Sequence, residues 1–147
     1  MVKKISARSI ASVLISLVCV LNIQAGLYFY FNPQKFTAAY ELTGIPGEIS
    51  VAGVGLLFIM WNIPYFFALY NPIKFKISLI QANIMQIIGV IGETALLFRF
   101  SHAEHPQLAN SLLRFIIFDS VGLLLLFLAL FVICFNKKTA WSNTHAV

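Results

Sequence analysis

A chain of 147 residues that is 60% hydrophobic and only 10% charged, with a mean hydropathy of +0.88, is not a water-soluble domain, which carries about a quarter charged residues. Its length has room for four membrane spans of about 20 residues each and leaves none for a separate soluble catalytic domain. The net charge of +5 comes from small basic groups between apolar runs, a topology signal rather than a nucleic-acid surface.

The first apolar run covers about residues 9–31 and follows Lys3, Lys4 and Arg8. Its basic start, apolar centre and "NIQAG" end also describe a secretory leader. The run continues through "LYFYF", so an uncleaved first helix is expected. "FNPQKFTAAYELTGIPGE" closes it and leads to the second run, 50–71. There Gly53 and Gly55 either admit a neighbouring helix or leave a pocket. Pro64 cannot donate to the Met60 carbonyl and predicts a kink, beside which "MWNIPYF" places a ring, an amide and a freed carbonyl.

A tight "YNPIKFK" turn precedes the third run, 76–98. Leu79, Asn83, Gln86, Val90, Glu93 and Leu97 follow spacings of three and four and share one helix face. On a membrane helix that polar stripe should turn toward the bundle. "SHAEHPQLANS" then separates the fourth run, 112–135, which carries Asp119. Lipid offers the backbone no hydrogen bonds, so all four runs are expected as helices. The predicted fold is a single all-α domain, residues 1–147, forming a four-helix integral membrane bundle.

Lysine and arginine set its orientation. Lys3, Lys4, Arg8, Lys74, Lys76, Lys137 and Lys138 fall on one side, and Lys35, Arg99 and Arg114 on the other. The positive-inside rule places both termini in the cytoplasm, with the plasma membrane as the expected location. All five acidic residues fall on the outer side or in the outer half of a span.

Counted from the expected span ends, Glu93 and Asp119 both lie about 9 Å below the outer boundary, with Gln24 at a similar level. An ionised carboxylate at the bilayer centre costs roughly 2.5–3.5 kcal/mol on insertion scales, so each needs a partner. Two facing carboxyls would share a proton. Alternatively, Arg99 or Arg114 would reach down to them. This constellation predicts a polar outer-half cavity for a lipophilic molecule. Glu93, Asp119 and Gln24 would hold its head, Trp61, Asn62 and Phe58 its deeper part, and Gln86 is a further expected ligand contact. The plainer reading gives Asn62, Asn83 and Gln86 interhelical hydrogen bonds worth about 0.6 kcal/mol each. It gives Trp61 a packing role, and Tyr28, Tyr30 and Tyr40 a place in an interfacial aromatic belt.

Other chemistry is poorly represented. His102, Glu104 and His105 have metal-like spacing, but they offer too few donors and Pro106 interrupts the turn, so a solvated loop is expected. There is no Cys-x-x-Cys pair, no phosphate-binding glycine loop and no histidine within a span. Cys19 and Cys134 differ in depth by about 13 Å and cannot be bridged. No metal or cofactor is assigned.

The basic start, the "NP" after span one, "GVGLLF" in span two and the polar third helix together resemble small four-helix DoxX-like bacterial membrane proteins. Some members of that group are linked to quinol oxidation as small accessory subunits. The resemblance implies a membrane bundle and carries no functional residue to a position here. The expected function is therefore binding of a lipid or quinone. The alternatives are a non-catalytic subunit held against a membrane-protein partner or a second copy, and an enzyme using Glu93 and Asp119 for proton transfer.

Overall fold

The computed structural model describes residues 6–144, with side chains up to residue 135. Lys3 and Lys4 lie outside the described residues, as do the side chains of Lys137 and Lys138. The chain is all-α. In order it forms α1 (Ala7–Phe31), two short 3-10 turns (Pro33–Lys35 and Thr37–Tyr40), α2 (Gly44–Trp61), α3 (Ile63–Tyr70), α4 (Lys76–Leu97) and α5 (Pro106–Thr144). Four stretches are long and apolar enough to cross a membrane: α1, Gly44–Tyr70, α4 and Pro106–Phe135.

Local chemistry explains the boundaries. The Ser6 hydroxyl caps α1 by accepting from the Ser9 amide at 3.1 Å. The expected kink falls at Asn62, where α2 ends and α3 begins with Pro64 in its first turn. There the Asn62 amide nitrogen bonds the Ile59 carbonyl, and its side-chain Nδ2 donates to the Phe58 carbonyl at 2.6 Å. Asn62, fully buried, therefore serves the kink's own backbone. The fourth helix starts at Pro106 rather than near residue 112. Proline interrupts a helix interior, but at the first position its missing N–H costs nothing.

α1 packs against α2, α3 and α5, while α4 packs against α3 and α5, closing an up-and-down bundle. At the α1–α2 crossing Gly26 and Gly55 face each other; a Cβ on Gly55 would stand 2.6 Å from the Gly26 carbonyl oxygen. Gly55 thus permits close approach, whereas Gly53 faces open space. The end of the bundle holding the start of α1 has an apolar core of Ala11, Ile15, Leu79, Ala82, Leu126 and Ala129. Arg8 ties that end together by donating to the Tyr70 carbonyl at 3.2 Å, on the side where Lys74 and Lys76 lie. The opposite end is filled by rings. Phe29 lies 4.5 Å from Phe36, 6.2 Å from Phe58 and 5.9 Å from Phe115, centroid to centroid. Cys19 and Cys134 are both free thiols.

Candidate functional site

Between the apolar and aromatic ends lies a polar layer to which each span contributes a residue: Asn22 from α1, Tyr65 from α3, Gln86 from α4 and Asp119 from α5. All four are at most 7% exposed. The Tyr65 hydroxyl donates to Gln86 Oε1 at 2.6 Å. Gln86 Nε2 in turn donates to Asp119 Oδ1 at 2.8 Å and to the Asp119 carbonyl at 3.1 Å. One amide thus links three helices.

Two glycines make the linkage possible. Asp119 Oδ2 lies over Gly89 of α4, in space a Cβ would occupy, and Gln86 Nε2 lies over Gly122 of α5, 2.9 Å from where a Cβ would stand. Gln86 and Gly89 are three apart on α4, as are Asp119 and Gly122 on α5, so each antiparallel helix sets its polar side chain into the other's gap. The bonds are interhelical and shielded from water, the setting in which leaving one unmade is costly.

Asn22, Tyr65, Gln86 and Asp119 line a cavity of about 10 Å³ with Phe58 and Trp61. That is roughly the space of a single water molecule. Asn22 Oδ1 is buried with no partner among the described residues.

The expected constellation is therefore divided. Asp119, Gln86, Phe58 and Trp61 come together around this small cavity. Gln24 does not join them: it is exposed on the outward face of α1, and Asn22, two residues earlier, takes the inward position. Asn62 is buried and gives its Nδ2 to the kink, while its Oδ1 has no partner among the described residues. Glu93 lies higher. Counted along the helices, Asp119 is about 20 Å from the start of α5, and Glu93 is only about 6 Å from the end of α4. The longer α5 carries Asp119 to the level of Gln86 and Gly89, below Glu93. Among the described residues neither arginine forms an ion pair with either carboxyl, and Glu93 Oε2 is buried without a hydrogen-bond partner. Asn22 was legible as an inward position, since Ile15, Cys19, Asn22, Gly26 and Phe29 follow helical spacing.

Above the polar layer opens a larger space. A cleft of about 240 Å³ is walled by Phe29, Phe36, Phe115 and Phe118, with Tyr40 and Arg114 among its lining residues. Phe115, which lines the cleft, packs 6.0 Å from Phe58, centroid to centroid, and Phe58 lines the small cavity beneath. Tyr40, expected in an exposed belt, is half-buried here. Burial, with Glu93 nearby, pushes its pKa up, so its hydroxyl remains a donor at neutral pH.

The connector carrying Phe36, Ala39 and Tyr40 is fastened to α5 at several points. Ser111 Oγ donates to the Ala39 carbonyl at 2.6 Å. Glu41 Oε1 accepts from the Leu108 amide at 3.3 Å, and Glu41 Oε2 lies 2.5 Å from His105 Nδ1. Glu41, in a left-handed conformation with φ of 55°, supplies a carboxylate to the start of α5, where free N–H groups favour negative charge. The histidines expected in a solvated loop include this partner. Among the described residues no group of three or more metal-ligating side chains occurs.

No family model matches the chain, and neither a curated protein nor a solved structure matches it. The four long apolar helices fit a small four-helix membrane protein, while the DoxX-like resemblance rests on layout alone.

Proposed function

We propose that this chain is an integral membrane protein that binds a lipophilic small molecule, a lipid or quinone, in the aromatic cleft at the outer end of the bundle. The cleft itself carries the reading: about 240 Å³ walled by phenylalanines, with hydrogen-bond donors at Tyr40 and Arg114. Such a mixture, mostly apolar with a few placed polar groups, is what small-molecule sites present. A flat ring fits between Phe36 and Phe115, and an acceptor or anionic head is held by Arg114 and Tyr40. The polar layer below has room for about one water and serves as the support beneath the cleft. In this reading Phe58 stands behind Phe115 as support, together with Asp119 and Gln86, with which it lines the small cavity.

The proposal includes orientation. Arg8, Lys74 and Lys76 share one end of the bundle, which we place in the cytoplasm with both termini, so that the cleft opens to the outer leaflet.

A photoreactive short-chain quinone and a photoreactive lysolipid, each added to the reconstituted protein, test the reading. Label should concentrate on peptides containing Phe36, Phe115 and Phe118, and Arg114→Ala should reduce it severalfold. Label spread evenly over lipid-facing positions such as Ile88 would remove the cleft as a site.

A further inference from the structure

Gln24 is a carboxamide turned outward from the bundle, about 10 Å along α1 from its outer end at Phe31. No hydrogen bond within the described residues reaches its side chain, and hydrocarbon offers none. It does not stand in an arbitrary place. Val13, Leu17, Val20, Gln24, Leu27 and Phe31 follow spacings of four and three along α1, and all are exposed. A left-handed helix pair uses this spacing for its seam, and here the stripe holds one polar position. Beside it runs a groove of about 540 Å³ between α1 and α3, mostly apolar, with Gln24 along it, Tyr28 and Asn32 toward the end of α1, and Phe66 and Leu69 on its far wall.

An acyl chain would fill the groove and leave the amide unpaired, whereas another helix would satisfy it. Membrane insertion gives every copy of a chain the same orientation, so two α1 helices meet in parallel and residue 24 meets residue 24. A side chain at such a position must complement itself. The carboxamide does, since each can donate through Nε2 and accept through Oε1. α4 carries a second outward amide, Gln81, among exposed Ile77, Ile84 and Ile88. It lies about 8 Å from the start of α4, in the opposite half of the membrane, so it cannot meet Gln24 of a parallel copy. A head-to-tail contact between the α1 and α4 faces is therefore disfavoured, and the adjoining groove favours the α1 seam.

We infer that the chain forms a two-fold symmetric dimer through the exposed face of α1, with Gln24 of each copy bonded to Gln24 of the other at the axis. The surface is separate from the aromatic cleft, and the dimer stands or falls independently of ligand binding there.

Cross-linking in native membranes tests it. In a Cys19→Ala, Cys134→Ser background, Val20→Cys reports on the α1 seam and Ile84→Cys on the α4 face. A short bis-maleimide should give a product of twice the chain mass from Val20→Cys and little from Ile84→Cys. Adding Gln24→Leu should lower the Val20→Cys product about fivefold or more, because the seam keeps its apolar packing and loses its hydrogen bonds. Equal products at both reporters, a Val20→Cys product of any other mass, no product, or one indifferent to Gln24→Leu would each overturn the dimer.

Discussion

The Gln86 carboxamide is the residue on which most of the buried polar network depends. It accepts from Tyr65 and donates to Asp119 at once, so its removal orphans groups on two other helices. Gln86→Leu should lower stability in detergent by about 1–2 kcal/mol, measured by thermal or denaturant unfolding without ligand. Asp119→Asn keeps an acceptor oxygen for Gln86 and should cost less than about 1 kcal/mol. An equal loss from both variants would mean that the carboxylate's charge, rather than its bond to Gln86, holds the layer.

Between the first two candidate spans, Glu41 gives a pH prediction. Its hydrogen bond with His105, and further bonds to the backbone, hold its carboxyl below the ordinary value of 4.5. A depressed carboxylate contributes stability that is complete above its unfolded pKa and is lost as pH falls through the folded one. The connector should therefore stay fastened at neutral pH and loosen only on acidification below the usual carboxylate range. Amide exchange at Leu108, whose N–H bonds Glu41, reads this directly. Glu41→Gln should remove the acid-dependent change.

At the scale of the helices, glycines decide how near the spans approach. Gly55 meets backbone atoms of α1, with the Gly26 carbonyl oxygen 2.6 Å and the Tyr30 nitrogen 2.7 Å from where a Cβ would stand. Backbone cannot rotate away, so Gly55→Ala must push the helices apart and should cost at least about 2 kcal/mol. Gly53 has nothing within 4 Å, and Gly53→Ala should be neutral or stabilising by up to about 1 kcal/mol through helix propensity. The two unfolding midpoints should differ visibly, and matching midpoints would contradict the crossing.

The sequence could show that span two holds glycines but not which one meets a neighbour, because that depends on the rotation of α2 against α1. Gly89 and Gly122 were less legible still. Their meaning comes from Gln86 and Asp119 on the facing helix, and an antiparallel register is not encoded in either segment alone. The inward stripe Leu79, Asn83 and Gln86 was legible, because helical period and the cost of polar groups in lipid act within one segment. The level of Asp119 relative to Glu93 was not legible, because it depends on how α5 slides against α4; its bond to Gln86 and its contact with Gly89 set it below Glu93. Pro106, which reads as an interruption in the chain, is instead the first residue of α5.

For the whole molecule, the bundle divides into an apolar end, a polar layer and an aromatic end, with the connector between α1 and α2 fastened across the last. Of the carboxyl, amide and hydroxyl groups that stand out in so apolar a sequence, Tyr65, Gln86 and Asp119 satisfy one another, while Asn22, Asn62, Asn83 and Glu93 each keep a buried oxygen without a partner among the described residues. The aromatic cleft belongs to phenylalanines that composition alone would leave to lipid. On the proposed function the polar layer supports and the cleft binds. Arg114→Ala, at an exposed position on α5, should accordingly leave the unfolding midpoint of the ligand-free protein within about 0.5 kcal/mol of wild type while weakening binding.

Native mass spectrometry of the protein extracted gently from its own membrane tests the cleft most directly. The account predicts a bound molecule of lipid or quinone mass on the wild-type chain, retained in Glu93→Gln and lost in Arg114→Ala. A bare wild-type chain, or a bound molecule lost in Glu93→Gln and kept in Arg114→Ala, would contradict it.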